Sequence, residues 1–130
     1  ITAESKGIPL LYEMARQAGV NNYIIARKGP KLYMQDIVYT EVNSITTEKK
    51  QMLCISGKDA QAMKGKRVLI VDDVISTGGS LLSLENLVNQ AGGEIVGKMT
   101  ILAEGGAIGR EDITYLSPLP LFDAEGNPIE

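Results

Sequence analysis

The sequence has no histidine and a single cysteine, Cys54. Without histidine, the chain cannot build a Ser-His-Asp or Cys-His catalytic arrangement. One cysteine allows no internal disulfide bond and cannot supply the ligands of a structural zinc site of the Cys/His type. Any acid–base group of the chain must therefore be an aspartate, a glutamate, a lysine, a tyrosine or the cysteine itself.

The sequence also lacks any apolar run close to the roughly 20 residues that a membrane-spanning helix needs. Residues 1–10 do not show the basic stretch followed by an apolar stretch that is typical of a secretory signal. Together with the single cysteine, these features favour a cytoplasmic protein without a membrane partner. The length of 130 residues, with 44% apolar and 22% charged residues, predicts one globular domain over residues 1–130.

The charge distribution is uneven. The formal net charge is −3, which does not favour binding to nucleic acid. The tail from residue 103 to residue 130 holds six carboxylates against one arginine, whereas a basic cluster lies in the first quarter of the chain, at Lys6, Arg27, Lys28 and Lys31. This cluster predicts a small anionic ligand. Alternatively, each of these side chains belongs to a solvated charged face.

Hydrophobic periodicity predicts alternating strands and helices. Short apolar runs at residues 23–26, 68–71 and 95–102 predict buried strands. Apolar residues at helical spacing predict two amphipathic helices, at Leu11, Met14, Ala15 and Ala18 in the first and at Leu81, Leu84, Val88 and Ala91 in the second. This alternation predicts an α/β fold with a doubly wound parallel sheet, in which ligands bind beyond the carboxyl ends of the strands.

Two further regions complete the outline. Residues 38–42 and 52–55 predict two β segments joined through a polar tip at residues 46–50, a flexible β-hairpin arm. Gly57, Gly65 and the lysines around them predict a loop. Residues 1–3 look like the end of a strand, which predicts that an N-terminal part of the protein is missing. Alternatively, they form a short edge segment of a complete small domain.

Residues 68–80 read VLIVDDVISTGGS and contain the strongest motif. A buried strand here delivers Asp72 and Asp73 to its carboxyl end, and the turn that follows opens a helix. The first N–H groups of a helix have no internal partner, so they can bind a phosphate. Gly78 and Gly79 permit a close approach of the backbone, and the hydroxyls of neighbouring residues can donate further hydrogen bonds.

Two adjacent carboxylates beside a phosphate site need an explanation, because two unit charges at 4 Å repel by about 4 kcal/mol at an effective dielectric constant near 20. The repulsion is relieved if the carboxylates accept hydrogen bonds from sugar hydroxyls with a divalent cation nearby. A ribose 5-phosphate meets that demand. The competing interpretations are a strand, turn and helix with surface aspartates, and an acidic metal site like that of receiver domains.

The VLIVDDVISTGGS segment resembles the signature of type I phosphoribosyltransferases, which bind 5-phosphoribosyl-1-pyrophosphate (PRPP). The chain as a whole is most similar to adenine phosphoribosyltransferase-like proteins. The resemblance implies that Asp72 and Asp73 hold the ribose. It also implies that the 5′-phosphate is bound by Ile75, Ser76, Thr77, Gly78, Gly79 and Ser80.

The same resemblance extends to the basic cluster. Residues 4–7 stand where the family has its pyrophosphate loop, and residues 27–32 are similar to the segment after the second strand of the adenine enzymes. The resemblance implies pyrophosphate contacts by Ser5, Lys6, Arg27 and Lys31, with Arg27 joining the two aspartates as a catalytic residue. Residues 33–54 occupy the position of the family's mobile catalytic loop.

The activity implied by the resemblance is transfer of the phosphoribosyl group from PRPP to a purine, with adenine favoured, to give a nucleoside monophosphate. It further implies Mg²⁺ as cofactor and a homodimer. The chain departs from the adenine enzymes in lacking a Glu-Tyr-Gly element around residues 42–46. It also has Ser76 where some purine enzymes have an aspartate. A PRPP-sensing regulator without catalytic activity is the alternative function. Glu104 is a further candidate to contact the base or the metal, or else a strand end that faces solvent. Phe122 is a candidate to stack on the base, or else a core residue.

Overall fold

The computed structural model describes residues 1–40 and 52–129. No helix in these ranges is long and apolar enough to cross a membrane. The predicted α/β class with a parallel sheet is confirmed, and so are both amphipathic helices. The elements in chain order are β1 (Thr2–Ala3), α1 (Gly7–Ala18), β2 (Ile25–Ala26), β3 (Val38–Tyr39), β4 (Cys54–Ile55), α2 (Gly57–Met63), β5 (Arg67–Ile75), α3 (Gly79–Ala91), β6 (Glu94–Glu104), a 3₁₀ turn (Gly105–Ala107), β7 (Thr114–Leu119), β8 (Leu121–Phe122) and β9 (Pro128–Ile129).

The parallel strands meet at one boundary. β1 pairs with β2, and β5 pairs with β6, which pairs with β7. Ile1 joins the two groups, because its amino nitrogen donates to the carbonyl of Leu69 at 2.9 Å and its carbonyl accepts from the N–H of Val71 at 3.0 Å. The spatial order is therefore β2-β1-β5-β6-β7. Chain order runs outward from the boundary between β1 and β5, which makes this boundary the switch point where α/β sheets bind ligands.

The base of the predicted hairpin arm is confirmed. β3 and β4 are antiparallel, with Val38 opposite Ile55 and Tyr39 opposite Cys54. Arg27, directly after β2, exchanges backbone hydrogen bonds of 2.9 and 2.8 Å with Cys54. The arm therefore starts from the edge of the parallel sheet. Its predicted polar tip, within residues 41–51, lies outside the described residues.

The helix α3 forms one side of the core. Its residues at spacings of three and four, Leu81, Leu84 and Val88, are buried together with Leu87. They belong to one apolar cluster with Ile70 and Ile75 of β5. This packing fixes the first turn of α3 relative to the carboxyl end of β5, where the sequence motif lies.

Two elements differ from the sequence-based expectation. The prediction of a loop at residues 57–65 is wrong, because residues 57–63 form α2, whose first turn is capped by Ser56 Oγ accepting from the N–H of Asp59 at 3.1 Å. β7 was not predicted. It contains Pro118, which an edge strand tolerates because one side of such a strand needs no N–H donor.

The two leucines of α3 provide a test of this packing. Leu84 is fully buried, whereas Leu82 is 67% exposed. We expect Leu84→Ala to lower the free energy of unfolding by about 3 kcal/mol, because the removed side chain leaves a cavity. Leu82→Ala should change it by less than about 0.5 kcal/mol. Urea denaturation measures both, and equal losses would contradict the placement of α3.

Candidate active site

The carboxyl ends of β1 and β5 bring two loops side by side. The β1–α1 loop (residues 4–6) leaves β1, and Asp72 and Asp73 lie in the last part of β5, ahead of the glycine loop (residues 76–80). The hydrogen bonds of Ile1 to Leu69 and Val71 hold the two strand ends in register. Segments that are nearly 70 residues apart in sequence therefore form one site.

Two adjoining cavities open at this edge of the sheet. The large cavity, of about 530 Å³, lies between the β1–α1 loop and the aspartates. The small cavity, of about 150 Å³, lies inside the glycine loop. Asp72, Val74 and Ser80 line both cavities. A ligand with two anionic ends and a sugar between them can therefore span the boundary, with the sugar next to Asp72.

The glycine loop presents backbone donors to the small cavity. The first hydrogen bond of α3 runs from the N–H of Leu82 to the carbonyl of Gly78 at 2.9 Å, so the N–H groups of residues 79–81 precede the helical ladder. Gly78 has a φ angle of 84°, a left-handed conformation that a residue with a Cβ adopts at a cost. The small cavity thus presents N–H groups at the start of a helix, the kind of donor that binds phosphate.

Asp72 is the most perturbed acidic group among the described residues. Burial and, after it, the neighbouring Asp73 side chain raise the pKa of Asp72 to about 7. The N–H of Asp73, which donates to Asp72 Oδ1 at 2.8 Å, opposes this rise. A partly buried carboxyl with such a pKa exchanges a proton near neutral pH and accepts hydrogen bonds from hydroxyl groups.

Gly7 sets the distance between the two sides of the site. A Cβ at residue 7 would stand 2.2 Å from Thr2 Oγ1 and 3.5 Å from Asp72 Oδ1. Thr2 is fully buried and cannot move aside. The first turn of α1 therefore packs directly on β1 and reaches the vicinity of Asp72.

The predicted anion-binding residues are distributed unevenly. Ser5 and Lys6 line the large cavity, and the peptide bond between Glu4 and Ser5 is cis. Lys28, the member of the basic cluster to which the resemblance gave no pyrophosphate contact, also lines this cavity. Arg27 and Lys31 are absent from its described lining. Arg27 instead pairs with Glu4, with 3.3 Å between Nη1 and Oε2.

Glu4 is a site residue that sequence reasoning did not single out. Its carboxylate also accepts from the N–H of Lys28 at 2.7 Å. This hydrogen bond, followed by the Arg27 and Lys31 side chains, lowers the pKa of Glu4. Glu4 thus gathers the basic segment around the mouth of the large cavity. Its place beside Ser5 and Lys6 was the available signal, but the partner segment is distant in sequence.

Ser76 and Glu104 connect the ends of β5 and β6. Ser76 Oγ donates to Glu104 Oε1 at 2.9 Å, and both residues are partly buried. Glu104 is therefore held by a residue of the small cavity and does not simply face solvent. Phe122 is 52% exposed in the β8–β9 hairpin, so its predicted alternative role as a core residue is wrong.

The described residues contain no group of three or more His, Cys, Asp or Glu side chains that could hold a metal ion by themselves. Asp72 and Asp73 offer two adjacent carboxylates next to the large cavity. This donor set suits Mg²⁺, which is commonly bound by one or two carboxylates together with water and substrate phosphates.

The raised pKa of Asp72 leads to a stability prediction. Because this pKa lies above the unfolded value near 4, the folded state binds the proton more tightly, and its stability falls as pH rises from about 4 to about 7. Asp72→Asn removes this dependence. Relative to the parent protein, we expect it to gain roughly 1–2 kcal/mol between about pH 5 and pH 8, a value reduced for solvent screening.

Urea denaturation at both pH values measures this gain. Asp123→Asn is the control, because hydrogen bonds from the Asn127 backbone and from other groups lower the pKa of Asp123. That carboxyl is ionised in the folded and unfolded chains above about pH 5, so its removal should have the same effect at both pH values. An Asp72→Asn gain that does not grow with pH would contradict the assigned burial.

Comparison with known proteins agrees with this geometry. The sequence profile of the phosphoribosyl transferase domain matches residues 1–121. A hypoxanthine/guanine phosphoribosyltransferase of Methanotorris igneus is 36% identical over 105 residues, which are 81% of this chain and 53% of that protein. A xanthine phosphoribosyltransferase of Exiguobacterium is 30% identical over 87% of this chain and 58% of that protein. The chain thus spans little more than half the length of these relatives.

Among solved structures, the adenine phosphoribosyltransferase of Rhodothermus marinus superposes with a TM-score of 0.75 at 28% sequence identity. The match covers 91% of this chain and 67% of that one. With its profile match over residues 1–121 and the paired aspartates ahead of a glycine loop, the chain belongs to the phosphoribosyl transferase domain family.

Proposed function

We propose that this chain carries the active site of a purine phosphoribosyltransferase, which transfers the 5-phosphoribosyl group from PRPP to a purine base and releases pyrophosphate. The observation that carries the proposal is the pair of cavities that meet at Asp72. Their shapes and donors match the two anionic ends of PRPP, with a sugar-binding carboxylate at the boundary.

In this proposal the 5′-phosphate occupies the small cavity, where it accepts hydrogen bonds from the N–H groups and hydroxyls of the glycine loop. The ribose hydroxyls donate to Asp72 and Asp73. The pyrophosphate lies in the large cavity beside Ser5, Lys6 and Lys28. Arg27 reaches the pyrophosphate when its guanidinium leaves the Glu4 carboxylate and binds a phosphate instead. A carboxylate and a phosphate are both oxyanions that a guanidinium binds through its N–H groups.

The reaction breaks the bond between ribose C1 and the pyrophosphate oxygen and forms a bond from C1 to a purine nitrogen. The positive charge that develops on the ribose at the transition state lies next to the carboxylates of Asp72 and Asp73. The negative charge that develops on the departing pyrophosphate lies next to Lys6 and Lys28. The chain therefore contributes orientation and electrostatic stabilisation, the two largest sources of catalysis in such a site.

We also propose Mg²⁺ as the cofactor. Asp72 and Asp73 are the residues that would hold it, and when bound it neutralises charge on the pyrophosphate. A homodimer, implied by the family resemblance, and a cytoplasmic location, favoured by the single cysteine, remain predictions. Light scattering of the purified protein tests the first, and imaging of a tagged chain tests the second.

Adenine is the base that we favour. The similar solved structure is an adenine enzyme, whereas the two similar sequences reported above are named for hypoxanthine and guanine and for xanthine. Glu104, held by Ser76 at the end of β6, favours adenine if it faces position 6 of the base. An ionised carboxylate only accepts hydrogen bonds. At position 6 adenine has an amino donor, whereas hypoxanthine, guanine and xanthine have an oxo group there and their N1–H donor at the next ring position.

The alternative, a PRPP sensor without turnover, is supported by the absence of the Glu-Tyr-Gly element and by Ser76, which cannot act as a base in the way that an aspartate can. An assay of pyrophosphate release separates the two functions. PRPP and Mg²⁺ are supplied with adenine, hypoxanthine, guanine or xanthine in turn. We expect release with adenine above all, and saturable PRPP binding without release with any base would favour the sensor.

The aspartates provide a prediction on PRPP binding. Asp73→Asn, alone or with Asp72→Asn, should weaken PRPP binding about tenfold or more, because a charge-assisted hydrogen bond to the ribose becomes a neutral one. Titration calorimetry measures the change, and circular dichroism checks the fold. Asp36→Asn is the matched control, since Asp36 is exposed and absent from the described lining of both cavities. Unchanged binding would refute the ribose assignment.

Glu104 provides a prediction on base selection. Glu104→Gln replaces an acceptor by a group that also donates, so it should lower the ratio of kcat/KM for adenine to that for hypoxanthine by about tenfold. Glu94→Gln is the control, because Glu94 is exposed at the opposite end of the same strand. A ratio that stays the same in Glu104→Gln would remove Glu104 from base selection.

A further inference from the structure

The small cavity has an unusual charge balance for a phosphate site. Among the described residues, its lining contains one acidic side chain, Asp72, and no lysine or arginine. A phosphate dianion near this carboxylate is repelled, and backbone N–H groups provide only partial charges. If the site binds a 5′-phosphate as proposed above, a full positive charge close to the glycine loop would offset this repulsion.

Arg110 supplies such a charge from outside the loop. Its guanidinium lies against the backbone of Gly78, with Nη1 2.9 Å from the point where a Cβ of residue 78 would stand. Its other two nitrogens hold Asp112, with distances of 2.8 Å from Nε to Oδ1 and 2.6 Å from Nη2 to Oδ2. The ion pair is therefore oriented, with its positive end towards the glycine loop.

The segment that carries Arg110 is fixed to the same body as the loop. Ala107 is fully buried, and its carbonyl accepts from the N–H of Arg110 at 3.2 Å. Tyr115 Oη, on β7, accepts from the N–H of Gly109 at 3.0 Å. Asp112 is also near Lys98, at 3.7 Å, and Lys98 pairs with Glu85 of α3. The guanidinium thus keeps a set position relative to the start of α3.

We propose that Arg110 is a positioning and electrostatic residue of the 5′-phosphate subsite, which acts through Gly78 without entering the cavity. It offsets the charge of Asp72 and supports the left-handed turn at Gly78 from behind. Gly78 is then required for two reasons, its backbone conformation and the space that the guanidinium fills. This inference rests on the proposed function.

The test compares two probes of the full-length protein, ribose 5-phosphate for the small cavity and inorganic pyrophosphate for the large one. We expect Arg110→Gln to weaken ribose 5-phosphate binding about fivefold to tenfold at low salt, since Asp112 compensates part of the charge. Pyrophosphate binding should stay within about twofold of the parent value, because the large cavity has its own cations. Titration calorimetry measures both.

Two further variants separate charge from structure. Arg110→Lys keeps the positive charge without the bidentate pair, so it should retain more affinity for ribose 5-phosphate than Arg110→Gln. Arg16→Gln is the matched control, because Arg16 makes an equivalent bidentate pair with Glu13 on the exposed face of α1. It should leave both affinities unchanged. High salt should shrink the difference between Arg110→Gln and the parent protein, because it screens the charge.

The outcomes distinguish a failure of the role of Arg110 from a failure of the proposed function. If the parent protein binds neither ribose 5-phosphate nor PRPP, the proposed function and the role of Arg110 fail together. If the parent protein binds both and Arg110→Gln binds ribose 5-phosphate equally well, only the role of Arg110 is overturned. Equal weakening of both probes also overturns it, since that pattern indicates a general disturbance of the fold.

Discussion

The parallel pairing of β1 with β5 is the constraint on which the site depends. The backbone of Ile1 makes two hydrogen bonds with β5, to Leu69 and from Val71, and these bonds place the end of a two-residue strand beside the end of a nine-residue strand. The β1–α1 loop and the glycine loop then face each other across a single edge. In the proposed function, neither loop alone has the donors for a whole PRPP molecule, so this pairing makes one site from the two loops.

Charge alternates through the site in a way that a single ligand explains. Carboxylates lie at the centre, at Asp72 and Asp73, and cations lie on the flanks, at Lys6 and Lys28 on one side and Arg110 behind the other. A sugar with phosphates at both ends has the complementary pattern of hydroxyl donors between anions. Burial of the Asp72 carboxyl and the neighbouring Asp73 side chain raise its pKa, and hydroxyl donors of such a ligand would stabilise its charged form.

The sequence predicted the parts of the site that are local in the chain. The strand, paired aspartates, glycine turn and helix of residues 68–80 are adjacent, so one segment determines their arrangement. The helices at Leu11 and Leu84 followed from periodicity because each buries one face. The helix α2 was missed because Gly57 and Gly65 indicate a loop more strongly than the single capping residue, Ser56, indicates a helix. Strand β7 was missed because four of its six residues are exposed, so no buried apolar run marks it.

The sequence alone could not predict side-chain directions or contacts between segments that are far apart in the chain. Arg27 and Lys28 are neighbours, and which one faces the cavity depends on the bond between Arg27 and Glu4, 23 residues earlier. The approach of Arg110 to Gly78 likewise depends on how the 3₁₀ turn packs under the sheet edge. The preferred base rests on one or two hydrogen bonds, a difference too small to leave a pattern in composition or spacing.

Gly7 sets the distance between the first turn of α1 and Asp72, and with it the width of the site. Its single hydrogen atom, in place of a methyl group, lets the first turn of α1 lie against Thr2 and within reach of Asp72. A larger residue would lift α1 away from the sheet and carry Ser5 and Lys6 with it. In the proposed function, the one hydrogen atom at residue 7 therefore sets how far the pyrophosphate lies from the ribose.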